Sequence, residues 1–108
     1  MLVAIGDGVS VADERVGEAI ALYLGTGSSA FPRSDAEAVR ARFPDADEGL
    51  VAKVEALAAE IMAIEIDWNS RSLSQGGDEA RRVMAERHPE LSDDALTALR
   101  WMFTYNWR

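Results

Sequence analysis

Few side chains in this sequence have a type and spacing that could do chemistry, and they gather in two places. The first is Glu65-Ile66-Asp67-Trp68. Read on a helical wheel, Glu65 falls between an apolar stripe containing Ile61 and Trp68 and a flank formed by Ala58 and Met62. A carboxylate inside an apolar arc has to be ion-paired, lie at the rim or titrate abnormally. Two readings follow. One is a salt bridge from Glu65 to Arg71, Arg81 or Arg100; the other is a ligand or partner contact in a pocket lined by Glu65, Asp67 and Trp68. Glu60 lies on the opposite side of the same helix, so the two glutamates do not make the facing carboxylate pair of a glycosidase.

The second place is the C-terminus, where Trp101, Phe103, Tyr105 and Trp107 concentrate half of the chain's aromatic residues. Leu96, Leu99, Met102 and Phe103 share one helical face, with Trp107 at its edge. Trp101 and Tyr105 stand one turn apart on another side, near Arg108. Aromatic residues beside arginine have the composition of a binding hot spot, which makes Trp101, Tyr105 and Arg108 a candidate binding surface. If the helix is sandwiched, the same two rings are core; if both are exposed, they form a patch that a monomer does not normally leave in water.

Other chemistries lack their residues. The chain has no cysteine, which removes thiol nucleophiles, disulfides and thiolate metal sites. Its one histidine, His88, has Ala85 where a di-iron Glu-x-x-His pair would need glutamate, and a lone histidine does not make a zinc site. Standing before Pro89 at a helix end, His88 is expected to cap free carbonyls. Gly25-Thr26-Gly27-Ser28-Ser29 lacks the preceding strand and the Gly-Lys-Ser/Thr ending of a phosphate loop, and reads as a helix stop. Gly6-Asp7-Gly8 reads as a turn. No catalytic, cofactor-binding or metal-ligating residue is assigned.

Charge narrows the partners. Nineteen acidic residues oppose 11 basic ones, a net charge of −8. Phosphate backbones and anionic membrane surfaces both select for cations, so neither nucleic acid nor membrane is expected as a partner. The last two helices resemble a helix-turn-helix in outline, but Ser92-Asp93-Asp94 would bring two carboxylates against DNA. Arg81, Arg82 and Arg87 are expected to be solvated or ion-paired. The N-terminus shows no basic region of a signal peptide, and Val54–Ile66 is interrupted by three glutamates, so the expected location is the cytoplasm. One lysine among the basic residues fits the codon bias of a high-GC bacterium.

The elements that position these residues are helices. Ser10, Ser34 and Asp45 each precede an acid by three residues, Ser92 precedes two acids, and Asp78-Glu79 follows a glycine pair. Gly25 and Gly27, Phe43-Pro44, the polar stretch from Asn69 to Gly77, and His88-Pro89 supply stops. The pattern predicts five helices, near 11–24, 35–43, 46–69, 78–88 and 93–107. With 108 residues, 48% of them hydrophobic, residues 1–108 are expected to form a single all-α domain. Leu50, Val54, Leu57, Ile61, Ile64 and Trp68 form one stripe, widened by Val51, Ala58 and Met62 and carried further round by Ala59 and Ile66. That breadth puts the third helix at the centre of a bundle. Val16, Ala19, Ile20, Tyr23 and Leu24, then Ala36, Val39 and Phe43, and then Ala80, Val83 and Met84 give its neighbours one-sided faces.

Three functions remain open. The first is a non-catalytic protein-binding module (inhibitor, immunity protein or accessory subunit) whose acidic surface engages a basic partner. The second is a homo-oligomer formed through the Trp101/Tyr105 face. The third is a small-ligand binder or enzyme with a cavity beside Glu65 and Trp68.

Overall fold

A computed structural model describes residues 15–45 and 48–107, which are all-helical apart from their turns and loops. Helix α1 covers residues 15–24 of this range; the expected cap at Ser10 and the first helical residues lie outside it. Gly25, at φ 77°, ends α1 as the sequence requires. The Gly25 and Thr26 N–H groups both donate to the Ala21 carbonyl at 2.9 Å. The following loop doubles back, and the Arg33 and Asp35 N–H groups satisfy the Leu24 and Tyr23 carbonyls.

Helix α2 spans Ala36–Arg42, and its cap is Asp35, whose Oδ1 accepts the Ala38 N–H at 3.1 Å. The expected cap, Ser34, is displaced by one residue. Both positions carry capping side chains, and the hydrogen bonds that bring the loop back onto α1 fix which of them faces the helix start.

Helix α3 spans Glu48–Met62, residues 46 and 47 lying outside the described range. It stops seven residues short of the predicted end at 69. Ile64-Glu65-Ile66-Asp67 belongs to no regular element; Ile64 is buried, Ile66 half-buried, and Glu65 and Asp67 are exposed. That is a period of two, and over four residues it also satisfies the helical spacing from Ile61 to Trp68. Asp67 then closes a turn: its Oδ1 accepts the Asn69 N–H at 3.1 Å and its Oδ2 accepts the Ser70 hydroxyl at 3.0 Å.

Helix α4 spans Leu73–Arg87 and begins five residues before the predicted start at 78. Ser72 and Gln75 form a capping box, with Ser72 Oγ accepting the Gln75 N–H and Gln75 Oε1 accepting the Ser72 N–H. Gly76 and Gly77 are not a break. They are buried inside the helix, where a Cβ on Gly76 would collide with the Trp68 ring, and one on Gly77 would lie 2.5 Å from Thr104 Cγ2. Glycine is required there because neighbouring groups occupy the side-chain space.

Helix α5 spans Asp93–Trp107, as predicted, and Ser92 Oγ accepts the Ala95 N–H at its start. Among α2 to α5 the most extensive pair is α4 with α5, while α3 touches α2, α4 and α5. The core draws Val16, Ile20 and Leu24 from α1, Val39 from α2, and Leu50, Val54, Leu57 and Ile61 from α3; Met84 comes from α4 and Leu99 and Phe103 from α5. Ala59, expected to extend the α3 stripe, is exposed. Among the described residues no helix is long and apolar enough to cross a membrane.

Candidate functional site

The early end of α3 turns Glu65 into a different kind of residue. It is exposed on the loop after α3 rather than set within a helical apolar arc. None of the expected arginines pairs with it. Arg81 lies 3.5 Å from Asp93, Arg100 bonds Asp78 at 2.9 Å and the Ser74 carbonyl at 3.0 Å, and Arg71 has no bond to Glu65. Among the described residues Glu65 has no hydrogen-bond or ion-pair partner.

Trp68 is placed by what surrounds it. Its ring packs against the flat face left by Gly76 and stacks on Phe103, with centroids 6.2 Å apart. Its other neighbour is Trp107, at 5.4 Å and tilted by 42°. Phe103, completely buried, thus anchors a three-ring cluster whose outer member, Trp107, is 47% exposed. Between this cluster and the loop runs an open groove of about 390 Å³, lined by Met62, Ala63, Ile64, Glu65, Ile66, Trp68 and Trp107. The two regions singled out in the sequence therefore meet, but through Trp107 rather than through Trp101 and Tyr105.

Of the three residues placed in the expected pocket, Glu65 and Trp68 line the groove and Asp67 does not. Both Asp67 carboxylate oxygens serve the turn that follows. The expected surface also divides. Trp101 is half-buried against the core, whereas Tyr105 is exposed, and both border a shallow depression with Leu73 and Thr104. Leu73 belongs to the first turn of α4, so the unforeseen extension of that helix supplies one wall of this depression. Arg108 lies outside the described residues.

His88 does more than end a helix. Its backbone N–H caps α4 by donating to the Met84 carbonyl, while its ring leaves the free carbonyls for carboxylates. Nε2 lies 2.8 Å from Glu60 Oε1 and Nδ1 lies 3.5 Å from Glu90 Oε2; Arg87 donates to the other Glu60 oxygen at 3.1 Å. Burial pushes the Glu60 carboxyl up, but bonds and charge from His88 and Arg87 outweigh it and hold the group below its ordinary value. This cluster ties α3 to the end of α4. No sequence signal points to it, since the partners meet only through the packing of the two helices.

Most of the arginines are spent in the same way. Arg40 bridges Glu37 and Glu48, Arg42 bonds Glu18, and Arg82 bridges Glu79 and Glu86. These bonds hold the Glu48 and Glu79 carboxyls below their ordinary value. As expected, Arg81, Arg82 and Arg87 form an ion-paired face. Positive charge is thus consumed at short range within the chain, and carboxylates such as Glu65 are left as the surplus. Among the described residues no cluster of histidine and carboxylates has the arrangement of a metal site. Comparison with protein-family models, with curated proteins and with solved structures finds no match for the chain.

Proposed function

We propose that the protein is a single-domain, cytoplasmic, non-catalytic protein-binding module, of the inhibitor, immunity or accessory-subunit kind, that engages a basic partner. The observation that carries this reading is the groove, where two partly exposed indoles lie beside a carboxylate with no partner of its own. Indoles at a concave surface have the makings of an interface anchor, because they bury large area at little cost in side-chain freedom. The net charge of −8 would steer a basic partner toward this surface.

The test is affinity capture from a lysate of the source organism, with the retained protein identified and returned to the purified chain as a pure component. A specific complex that weakens as salt rises, and whose interface includes Trp68 or Trp107, is the expected result. A basic partner that leaves both indoles untouched, or no specific partner at low salt, would overturn the reading. A stable dimer of the free chain by light scattering would favour self-association instead.

A further inference from the structure

Resting on that reading, we infer that the groove beside Trp68 and Trp107 takes an arginine side chain of the partner, presented next to an aliphatic residue. Three features converge on this occupant. Trp107 lines the groove and is 47% exposed, and an indole is the aromatic ring that attracts a guanidinium most strongly. Glu65 sits on the same groove with its carboxylate unengaged, so it can accept the planar N–H fork of arginine without breaking an existing pair. Ile64 and Ile66 supply apolar floor for the methylene stem and an aliphatic neighbour.

Charge also selects against the other occupants. A second copy of this chain brings a net charge of −8, and most of its described arginines, Arg40, Arg82, Arg87 and Arg100 among them, are already bound to their own carboxylates. A nucleic-acid strand would place phosphates against Glu65. An uncharged apolar segment would fill the floor and leave the carboxylate buried without a partner, which carries a desolvation cost. Only a cation with an apolar stem satisfies all three surfaces.

The experiment is a titration of the ¹⁵N-labelled protein with a capped Leu-Arg-Leu-Arg peptide, followed through the three indole N–H signals. The control is the same peptide with citrulline for arginine, which keeps the shape and removes the charge. The Trp68 and Trp107 signals are expected to move while Trp101 stays still. Citrulline, or Glu65→Gln in the protein, should each weaken binding about fivefold, the size of one partly solvated ion pair. Glu65 is exposed and unpaired, so Glu65→Gln leaves the fold intact; Trp107→Phe, which keeps a ring on Phe103, is the second variant and should weaken binding without unfolding.

Equal binding of the arginine and citrulline peptides, unchanged binding by Glu65→Gln, or no shift up to ~10 mM peptide would each overturn the inference. The two readings fail separately. If wild type and Glu65→Gln hold a natural partner equally well, the occupant is wrong and the module stands. If the arginine peptide binds as expected but no protein partner is retained, the groove chemistry stands and the module falls.

Discussion

Gly76→Ala should destabilise the protein, against the ordinary rule for a helix interior. Alanine in place of glycine favours a helix by about 1 kcal/mol, because it restricts the unfolded chain and gives up nothing in the folded one. Here the new methyl would overlap Trp68 Cζ3, lie 2.5 Å from Trp68 Cη2 and come within 3.3 Å of Ile66 Cγ2. Something must move, and the mobile group is the indole. Displacing it loosens its contacts with Phe103 and Trp107, worth about 0.5–1.5 kcal/mol each, and overpacking of this kind typically costs about 1–3 kcal/mol. The balance is a net loss of about 1–2 kcal/mol. Urea denaturation followed by circular dichroism measures it, and tryptophan emission should shift to the red as Trp68 is pushed toward water. Trp68→Phe removes the clashing atoms, so Gly76→Ala in that background should become neutral or favourable, a coupling of about 1 kcal/mol or more in a double-mutant cycle. A Gly76→Ala variant about 1 kcal/mol more stable than wild type, with unchanged emission, would mean that Trp68 does not pack on α4.

Other outcomes follow from the caps, the core and the α3–α4 cluster. Ser72→Ala should cost about 1 kcal/mol and lower Tm by roughly 5 °C, with faster amide exchange confined to the first turn of α4; exchange unchanged there would place the helix start elsewhere. Phe103→Ala empties the centre of the ring cluster and should cost about 3–5 kcal/mol, a large part of the stability of a domain this size. A small change in its urea midpoint would contradict the burial. The Glu60 carboxyl is held below its ordinary value of 4.5 in the folded protein, so its contribution is complete above that pH and is lost as pH falls through the folded value. Glu60→Gln should therefore have a lower Tm than wild type near neutrality, and the gap should close on acidification below 4.5. With His88, Arg87 and Glu90 all facing this site, a gap constant from neutral to acid pH would show that the pairing does not stabilise the fold.

What was legible in the sequence was what is local. The limits of α5, the glycine stop after α1 and the inward faces of α1, α2 and α5 follow from spacing and capping chemistry, and the structure agrees. The two misplaced helix ends have different causes. Ile64-Glu65-Ile66-Asp67 fits an extended alternation and a continuing helical stripe equally well, and only the turn built on Asp67 separates them. Ser72-Leu73-Ser74-Gln75 is a capping box that the polar stretch and the glycine pair mask in the sequence, although those glycines clear space for Trp68 and Thr104. In the first case the local pattern is degenerate; in the second, packing accounts for glycines that local propensity would read as a break. The groove was half legible: Trp68 and the aromatic C-terminus stood out by type, but that Trp107 rather than Trp101 meets Trp68 depends on where α4 starts. The His88–Glu60 pair depends wholly on helix packing.

The close pairing of α4 with α5 also bears on how the chain finds its structure. Among α2 to α5 these two helices make the most extensive contact, yet only residues 88–92 lie between them. Closing so short a connection costs little chain entropy, and contacts between sequence neighbours are those that speed folding. The hairpin is therefore expected to form early and to present the α3 sequence with a surface on which to settle. Substitutions inside it, at Ala80 or Leu99, should slow refolding, whereas those in α2, at Val39, should mainly speed unfolding. Stopped-flow chevrons of the three variants would show it, and equal effects on both limbs for all three would point to a diffuse transition state instead. If the order holds, the Trp68 ring docks late, and the groove is among the last surfaces of the molecule to be completed.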